Sequence, residues 1–293
     1  MVTRVAVIGA GGMGSWFARY FKSRGDSIIV SDTDRPKAQR LASRIRARYA
    51  SSNVEATRGS DIVILATPAN VVSDTVKEIL PALRRNALLL DICAVKSVVI
   101  PALLIAEKRG VEVASIHPMF GPLARGVRKK LIIIVRTGKD ERGMRIVKRL
   151  FRGARIFSAE PEAHDRQMAM TLALPHFLNM VFAMVVSKGR SFAVMKKFAG
   201  RTFNLQMLLA ETVASEPETA ADIQIINKHF AIILRGLQRD IRSLYQIVKR
   251  GDRAELVAHY ERIRRRLSVD PEFDSARRTF EKVCEISSAI AGR

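Results

Sequence analysis

His117 stands in Ile116-His117-Pro118-Met119-Phe120-Gly121-Pro122, where two prolines and a glycine restrict the loop that presents the imidazole. A neutral imidazole, with an ordinary pKa of about 6.5, accepts a proton near neutral pH, so His117 is the candidate catalytic base. Far upstream, Gly9-Ala10-Gly11-Gly12-Met13-Gly14 has the spacing G-x-G-x-x-G, directly after the apolar run Val5 to Ile8 and directly before the helix-like run Ser15 to Lys22. Gly9 there permits a tight turn, Gly11 lets the backbone approach a pyrophosphate, and Gly14 lets helix and strand pack closely, with the anion on the helix N-terminus. Asp32 ends the second apolar run. A carboxylate in that place accepts hydrogen bonds from the adenosine ribose hydroxyls and repels a 2′-phosphate, which favours NAD over NADP, although Arg35 would grip such a phosphate if its loop turned inward. Ala66-Thr67-Pro68 ends the third core strand, so Thr67 and Pro68 join Gly9, Ala10, Gly11, Gly12, Met13, Gly14 and Asp32 as candidate cofactor-binding residues.

The elements that must position these groups follow from the patterning. Short apolar runs at Val5 to Ile8, Ser27 to Val30, Asp61 to Ala66, Ala87 to Asp91, Val111 to Ser115, Leu131 to Val135 and Ala154 to Phe157 are separated by helical patterns. That alternation predicts an α/β Rossmann domain, a doubly wound parallel sheet covered on both faces, with His117 on the carboxyl edge where such sheets bind ligands. From Glu162 onward apolar residues recur at three and four, and no strand pattern follows. Ser215 to Glu218 and Asp252 to Glu255 have the spacing of capping boxes, and Asp270-Pro271 is a further helix start. The chain therefore reads as a dinucleotide-binding domain over residues 1–158 and an all-α domain over 159–293, with the change of pattern near Ser158 to Pro161. A long helical half with many apolar positions calls for a second copy of the chain to bury its remaining face, so a homodimer through the helical domain is expected.

The bulk composition agrees with this division and argues against other classes. The 293 residues suit two domains of roughly 100 to 200 residues each. The apolar stretches are short and interrupted, so no membrane span is expected. The N-terminus enters its first apolar run at once, without the features of a signal peptide, which places the protein in the cytoplasm. Cys93 and Cys284 are far apart and have no C-x-x-C spacing, so no metal site or disulfide framework is indicated. The net charge of +22 would suit nucleic acid, but the arginines are dispersed and few aromatic residues stand among them. A solvated basic surface that attracts small anions is the expectation.

Four segments, taken in order, resemble the prephenate dehydrogenase family of tyrosine biosynthesis. They are Gly9-Ala10-Gly11-Gly12-Met13-Gly14, Asp91-Ile92-Cys93-Ala94-Val95-Lys96, His117-Pro118-Met119-Phe120-Gly121-Pro122, and Ala163-His164-Asp165-Arg166-Gln167-Met168 followed by His176-Phe177. The resemblance implies NAD-dependent oxidative decarboxylation of prephenate to 4-hydroxyphenylpyruvate, with His117 taking the proton of the ring hydroxyl. It also implies a helical dimerisation domain and a substrate contact from His176. The family has a serine at the position of Ala94 that hydrogen-bonds the catalytic histidine; here Cys93 or a water would have to substitute. The family's carboxylate-binding arginine is expected near Gly200-Arg201-Thr202-Phe203-Asn204-Leu205, which makes Arg201 the candidate, with Arg190 behind it. Lys96 is a further candidate for substrate, as a group that orients the loop or approaches the cofactor. His164 and Asp165 are expected near the domain interface, capping the long helix, without a chemical step.

Several readings stay open at this stage. Arogenate differs from prephenate only in an amino group for a keto group, and nothing in the sequence separates the two substrates. A β-hydroxyacid dehydrogenase or imine reductase also joins a Gly-x-Met-Gly Rossmann domain to a helical dimerisation domain, but would call for a catalytic lysine in the helical half and no proline-bracketed histidine. Ala94 and the arginine question also leave open a non-catalytic NAD-binding protein. With no further domain read after the helical half, tyrosine feedback would have to act at the active site itself.

Overall fold

The computed structural model describes residues 2–138, 141–189 and 191–291. They form two compact units, Met1–Leu172 with Ala221–His229, and Ala173–Ala220 with Phe230–Arg293. The first unit is built on eight strands: β1 (Arg4–Ile8), β2 (Ser27–Ser31), β3 (Arg48–Tyr49), β4 (Ile62–Leu65), β5 (Leu88–Asp91), β6 (Glu112–Pro118), β7 (Leu131–Val135) and β8 (Arg155–Ala159). Their order across the sheet is β3-β2-β1-β4-β5-β6-β7-β8. The order reverses at β1 and β4, and the carboxyl ends of those strands open the crevice in which such sheets hold ligands.

Both faces of the sheet are buried along its inner strands, which is why those strands read as apolar runs. Val5, Val7, Ile62, Ile64, Leu88 and Leu90 point to one face, under Trp16, Phe17, Phe21 and Phe151. Their neighbours Ala6, Ile8, Val63, Leu65 and Leu89 point to the other, under Val72, Val76, Ile79, Val99 and Leu103. Two features depart from the expected parallel sheet. β6 and β7 pair antiparallel, because the segment between them has no crossover helix to carry the chain back across the sheet. β3 is a two-residue strand paired with β2 that has no apolar run of its own.

The first unit continues past the expected boundary to Leu172, because Met168 and Leu172 pack with Ile133 and Val135 beside β7. The second unit contains the helices Leu174–Ser187, Arg201–Ala214, Phe230–Arg250, Arg253–Leu267 and Phe273–Ala291. Asp252 caps its helix as expected, accepting from the Glu255 amide at 2.9 Å. The capping box at Ser215 does not form. Ser215 closes the preceding helix with its hydroxyl on the Thr212 carbonyl, and the next helix starts at Pro217.

Contrary to the expectation of no candidate span, the stretch Pro161–Ser187 is long and apolar enough to cross a membrane by length and composition alone, with mean hydropathy 1.8. A π-helical turn at Ala169–Ala173 interrupts it just before Pro175, whose ring nitrogen has no N–H for the regular ladder. The buried polar side chains in the stretch, His164, Asp165 and Asn179, all have partners within the protein.

The aromatic layer over β1 includes Phe151, which is fully buried and lies 6.0 Å from the Phe17 ring, 5.6 Å from Tyr20 and 6.2 Å from Phe21. Phe151→Ala is expected to cost about 3–5 kcal/mol of stability. Urea unfolding checks this: the midpoint falls, while the slope with denaturant stays near wild type.

Candidate active site

The glycine segment is shaped partly by the protein and partly for something the protein does not supply. Gly9 has φ of +103°, and a Cβ on it would stand 2.3 Å from the Ala66 carbonyl oxygen. A Cβ on Gly14 would stand 1.9 Å from the Gly9 oxygen. Both glycines are demanded by the packing of loop, helix and β4. Gly11 differs, since no atom of the protein lies within 4 Å of where its Cβ would be, so the chain's own packing does not require glycine there. Gly11 is also the N-cap of the helix Gly12–Ser23, which has no side-chain cap and no acidic residue in its first turn. Its free amides and positive dipole end are thus open to an anion. Ala10 is buried, and the Met13 side chain packs against the aromatic layer.

Asp32 ties this loop to the end of β2. One carboxylate oxygen accepts the Ala10 amide at 2.6 Å and the other accepts the Asp34 amide at 2.8 Å. At the end of β4, the Thr67 hydroxyl is buried and has no partner, while Pro68 is exposed. An orphaned hydroxyl, an open cradle at Gly11 and an uncapped helix N-terminus along one sheet edge fit a dinucleotide.

The candidate base stands on the same edge. His117, at the end of β6, is 6% exposed, and its Nδ1 lies 3.0 Å from Nε2 of His164. Nδ1 of His164 lies 2.8 Å from an Asp165 carboxylate oxygen. Burial raises the Asp165 pKa, but the hydrogen bonds from His164 and from the Lys96 and Ser97 amides outweigh it and hold the carboxyl below its ordinary value. An ionised Asp165 only accepts, so His164 carries a proton on Nδ1, and in the neutral form of its ring Nε2 presents a lone pair. His117 then donates from Nδ1, which leaves its own Nε2 unprotonated. Burial first, then the Lys96 ammonium and His164, lower the His117 pKa well below 6.5, against an opposing pull from Asp165. The ring is therefore neutral at neutral pH and has a lone pair on the nitrogen that a general base needs.

The loop after His117 is held by the first helix. Phe120 packs against Trp16 at 4.9 Å between ring centroids, and the Trp16 indole N–H donates to the Ala124 carbonyl at 2.7 Å. The Met119 amide bonds to the Leu131 carbonyl at 3.0 Å.

Lys96 is held by the protein itself. It is fully buried, and its Nζ donates to Asp91 at 2.6 Å and to the Ile116 carbonyl at 2.7 Å. Asp91 also accepts from the Ser115 hydroxyl at 2.6 Å and from the Cys93 amide at 2.8 Å. The ammonium is spent on bracing β5 against β6 just before the histidine. Ala94 offers no hydroxyl, and the Cys93 thiol points elsewhere, 3.5 Å from the Thr67 carbonyl. Nδ1 of His117 is met by His164. This role was not read from the sequence, where His164 and Asp165 were expected as a helix cap. The helix Pro161–Met168 has Glu160 at its N-cap and no side-chain cap bond. The available signal was the pairing of a histidine with a carboxylate next to it in the chain.

His117, Lys96, His164, Asp165, Asp32, Thr67, Pro68 and the glycine segment all belong to the first unit, whereas His176 and Arg201 belong to the second. His176 is half-buried, and its Nδ1 has no partner. Burial lowers its pKa against a smaller opposite effect from Glu216. Arg201 is exposed in the first turn of its helix and ion-pairs with Glu281. Arg190 lies outside the described residues.

Gly11→Ala is expected to fold with wild-type thermal stability, since its methyl enters open space, and to weaken NAD binding by about tenfold or more. Calorimetric titration with NAD measures this, and unchanged affinity would show that the cradle is not a pyrophosphate site.

Two family models match the chain, the prephenate dehydrogenase nucleotide-binding domain over residues 17–134 and the prephenate dehydrogenase dimerization domain over residues 160–262. A probable arogenate/prephenate dehydrogenase of Methanocaldococcus jannaschii is 30% identical over 257 residues, covering 85% of this chain and 57% of that protein. The T-protein of Haemophilus influenzae is 24% identical over 263 residues, covering 89% of this chain and 66% of that protein. The chain thus spans between about half and two thirds of the length of these curated relatives. The crystal structure of prephenate dehydrogenase from Aquifex aeolicus, in complex with hydroxyphenyl propionate and NAD+, shares the fold at a TM-score of 0.73 and 20% identity, over 92% of this chain and 99% of that one. With a nucleotide-binding domain and a dimerization domain matched in succession on one chain, the protein belongs to the prephenate dehydrogenase family.

Proposed function

We propose that the protein is an NAD-dependent dehydrogenase of cyclohexadienyl substrates that converts prephenate to 4-hydroxyphenylpyruvate and carbon dioxide. The observation that carries this reading is the run of contacts from Asp165 through His164 to Nδ1 of His117, at 2.8 and 3.0 Å, which assigns Nε2 of a neutral His117 as the nitrogen without a proton. NAD, when bound on the glycine segment, supplies the hydride acceptor. His117 accepts the proton of the ring hydroxyl as the hydride leaves the carbon that bears it. The ring carboxylate departs as carbon dioxide, its bonding electrons complete the aromatic ring, and the phenolate oxygen so formed takes the proton back from His117. The positive charge gained by His117 is offset by Asp165, reached through His164.

Asp32 favours NAD over NADP, because a carboxylate beside the adenosine ribose repels a 2′-phosphate. His176, with an unpartnered buried nitrogen, and Arg201 are assigned to the substrate. A homodimer through the helical unit is supported by the dimerization-domain match and by exposed Ile241, Leu244, Tyr245 and Val248 on one helix and Tyr260, Ile263 and Leu267 on the next. Arogenate is the second substrate reading, and the Methanocaldococcus relative bears both names.

NADH formation from NAD and prephenate, measured beside arogenate and NADP, tests the assignment. Turnover is expected to be lost by a factor of about 100 or more in His117→Asn. The base is active when neutral and its pKa lies below 6.5, so wild-type kcat/KM is expected to be flat from pH 6.5 to about 8 and to fall only on further acidification. An acid limb centred above 6.5 contradicts a neutral, buried base. Ala94→Ser is expected to leave NAD affinity and turnover near wild type, because His164 already holds Nδ1 of His117. A large gain in turnover would show instead that the His117 ring is poorly held.

A further inference from the structure

A short segment of the helical half, Ala221–His229, belongs to the first unit, although the chain on either side of it belongs to the second. It makes two attachments to the catalytic edge, one partly buried and one buried. Asp222 accepts the Ala69 amide at 3.0 Å, directly after Thr67 and Pro68. The side-chain amide of Asn227 donates to the Asp165 backbone carbonyl at 2.7 Å. Asn227 is 2% exposed, and its side-chain oxygen accepts the His229 amide at 3.1 Å, which fixes which end of the amide faces Asp165. Ile226 packs between these points onto the core under β4 and β5. Lys228, at 2.9 Å, and His229, at 3.1 Å, meet Glu162 at the start of the helix that carries His164 and Asp165.

We propose that Asn227 and Asp222 are positioning residues for the reaction, Asn227 holding the helical turn that aims His164 at His117 and Asp222 holding the β4 loop against the cofactor edge. The inference rests on the dehydrogenase reading above. Asn227 touches neither His117 nor a reacting atom. It acts on the backbone of Asp165, whose side chain sets the tautomers of both histidines. A buried carbonyl on a helix turn already has its ladder donor, so a second donor there does more than satisfy a stray acceptor: it restrains the turn itself. Asp222 restrains the other wall of the site, so a single segment bridges the base and the loop beside the nicotinamide-binding edge.

The two attachments predict different kinetic defects. Asn227→Ala is expected to lower kcat about tenfold or more and leave the KM for NAD within about twofold, because only the base loses its alignment. The groups facing His117 are Lys96 and His164 with Asp165 behind it, and Asp91 balances Lys96. A looser relay admits water to the ring, so the acid limb of kcat moves up toward 6.5. Asp222→Ala is expected to raise the KM for NAD with a smaller change in kcat. If Asn227→Ala does not fold, Asn227→Asp keeps the size and removes the donor.

A folded Asn227 variant with wild-type kcat and an unmoved acid limb overturns the proposal for Asn227, whatever its thermal stability. An unchanged KM for NAD in Asp222→Ala overturns it for Asp222. Nitrogen-15 spectra of the histidine rings, recorded without substrate, separate this from failure of the activity assignment. If the wild type turns over neither prephenate nor arogenate, that assignment falls. The Asn227 role then stands if the His117 Nδ1–H tautomer, dominant in wild type, loses population in the variant, and falls if it does not.

Discussion

Asp165 is a carboxylate kept ionised in the protein interior, and the arrangement of the site depends on it. A buried charge is costly unless it is well hydrogen-bonded, and Asp165 receives the Lys96 and Ser97 amides as well as the His164 ring. Those bonds join the loop after β5 to the helix Pro161–Met168. The same carboxylate decides, through two imidazoles, which nitrogen of His117 is left without a proton. A protonated or displaced Asp165 would free His164 to turn, and the lone pair on His117 would no longer have a fixed direction. Packing, charge and tautomer are thus different aspects of one set of contacts.

A second buried charge balances the first. Lys96 sits between β5 and β6 with Asp91, so a cation lies close to the base without facing solvent. It depresses the His117 pKa and helps to keep the ring neutral, while Asp91 limits its effect. Buried pairs of this kind add little net stability compared with apolar side chains, so their value here lies in geometry and in the field at the histidine. Ala94 offers the ring no hydroxyl, and Nδ1 of His117 is met by His164.

The sheet was legible in the sequence because burial on both faces writes its inner strands as apolar runs, and the glycine loop was legible because two of its glycines answer to hard steric contacts. β3 was not, since two residues leave no period to read. The reversed direction of β7 was not either, because alternation specifies a face and not a polarity. His117 was found from its proline-bracketed loop, but its partner His164 lies 47 residues away on another element, and no local pattern encodes such a meeting. Lys96 was recognised as a charged residue in a notable segment, yet its burial depends on Asp91 and Ile116, which sequence spacing alone does not bring to it. The Ser215 cap failed because Pro217 set the helix start.

Trp16 is the chain's one tryptophan. It stands one turn beyond the glycine loop, 4% exposed, stacked on Tyr20, and bonded to the segment that follows His117. A single indole placed between the nucleotide-binding helix and the base-bearing loop makes the protein its own optical reporter. Its emission comes from one site, without label or background from other indoles. Reduced nicotinamide absorbs where an indole emits, so a bound reduced cofactor would quench that emission by energy transfer, and release of the loop would wet the ring and shift its colour. Occupancy of the nucleotide site and docking of the loop are therefore written in two separable properties of the same light.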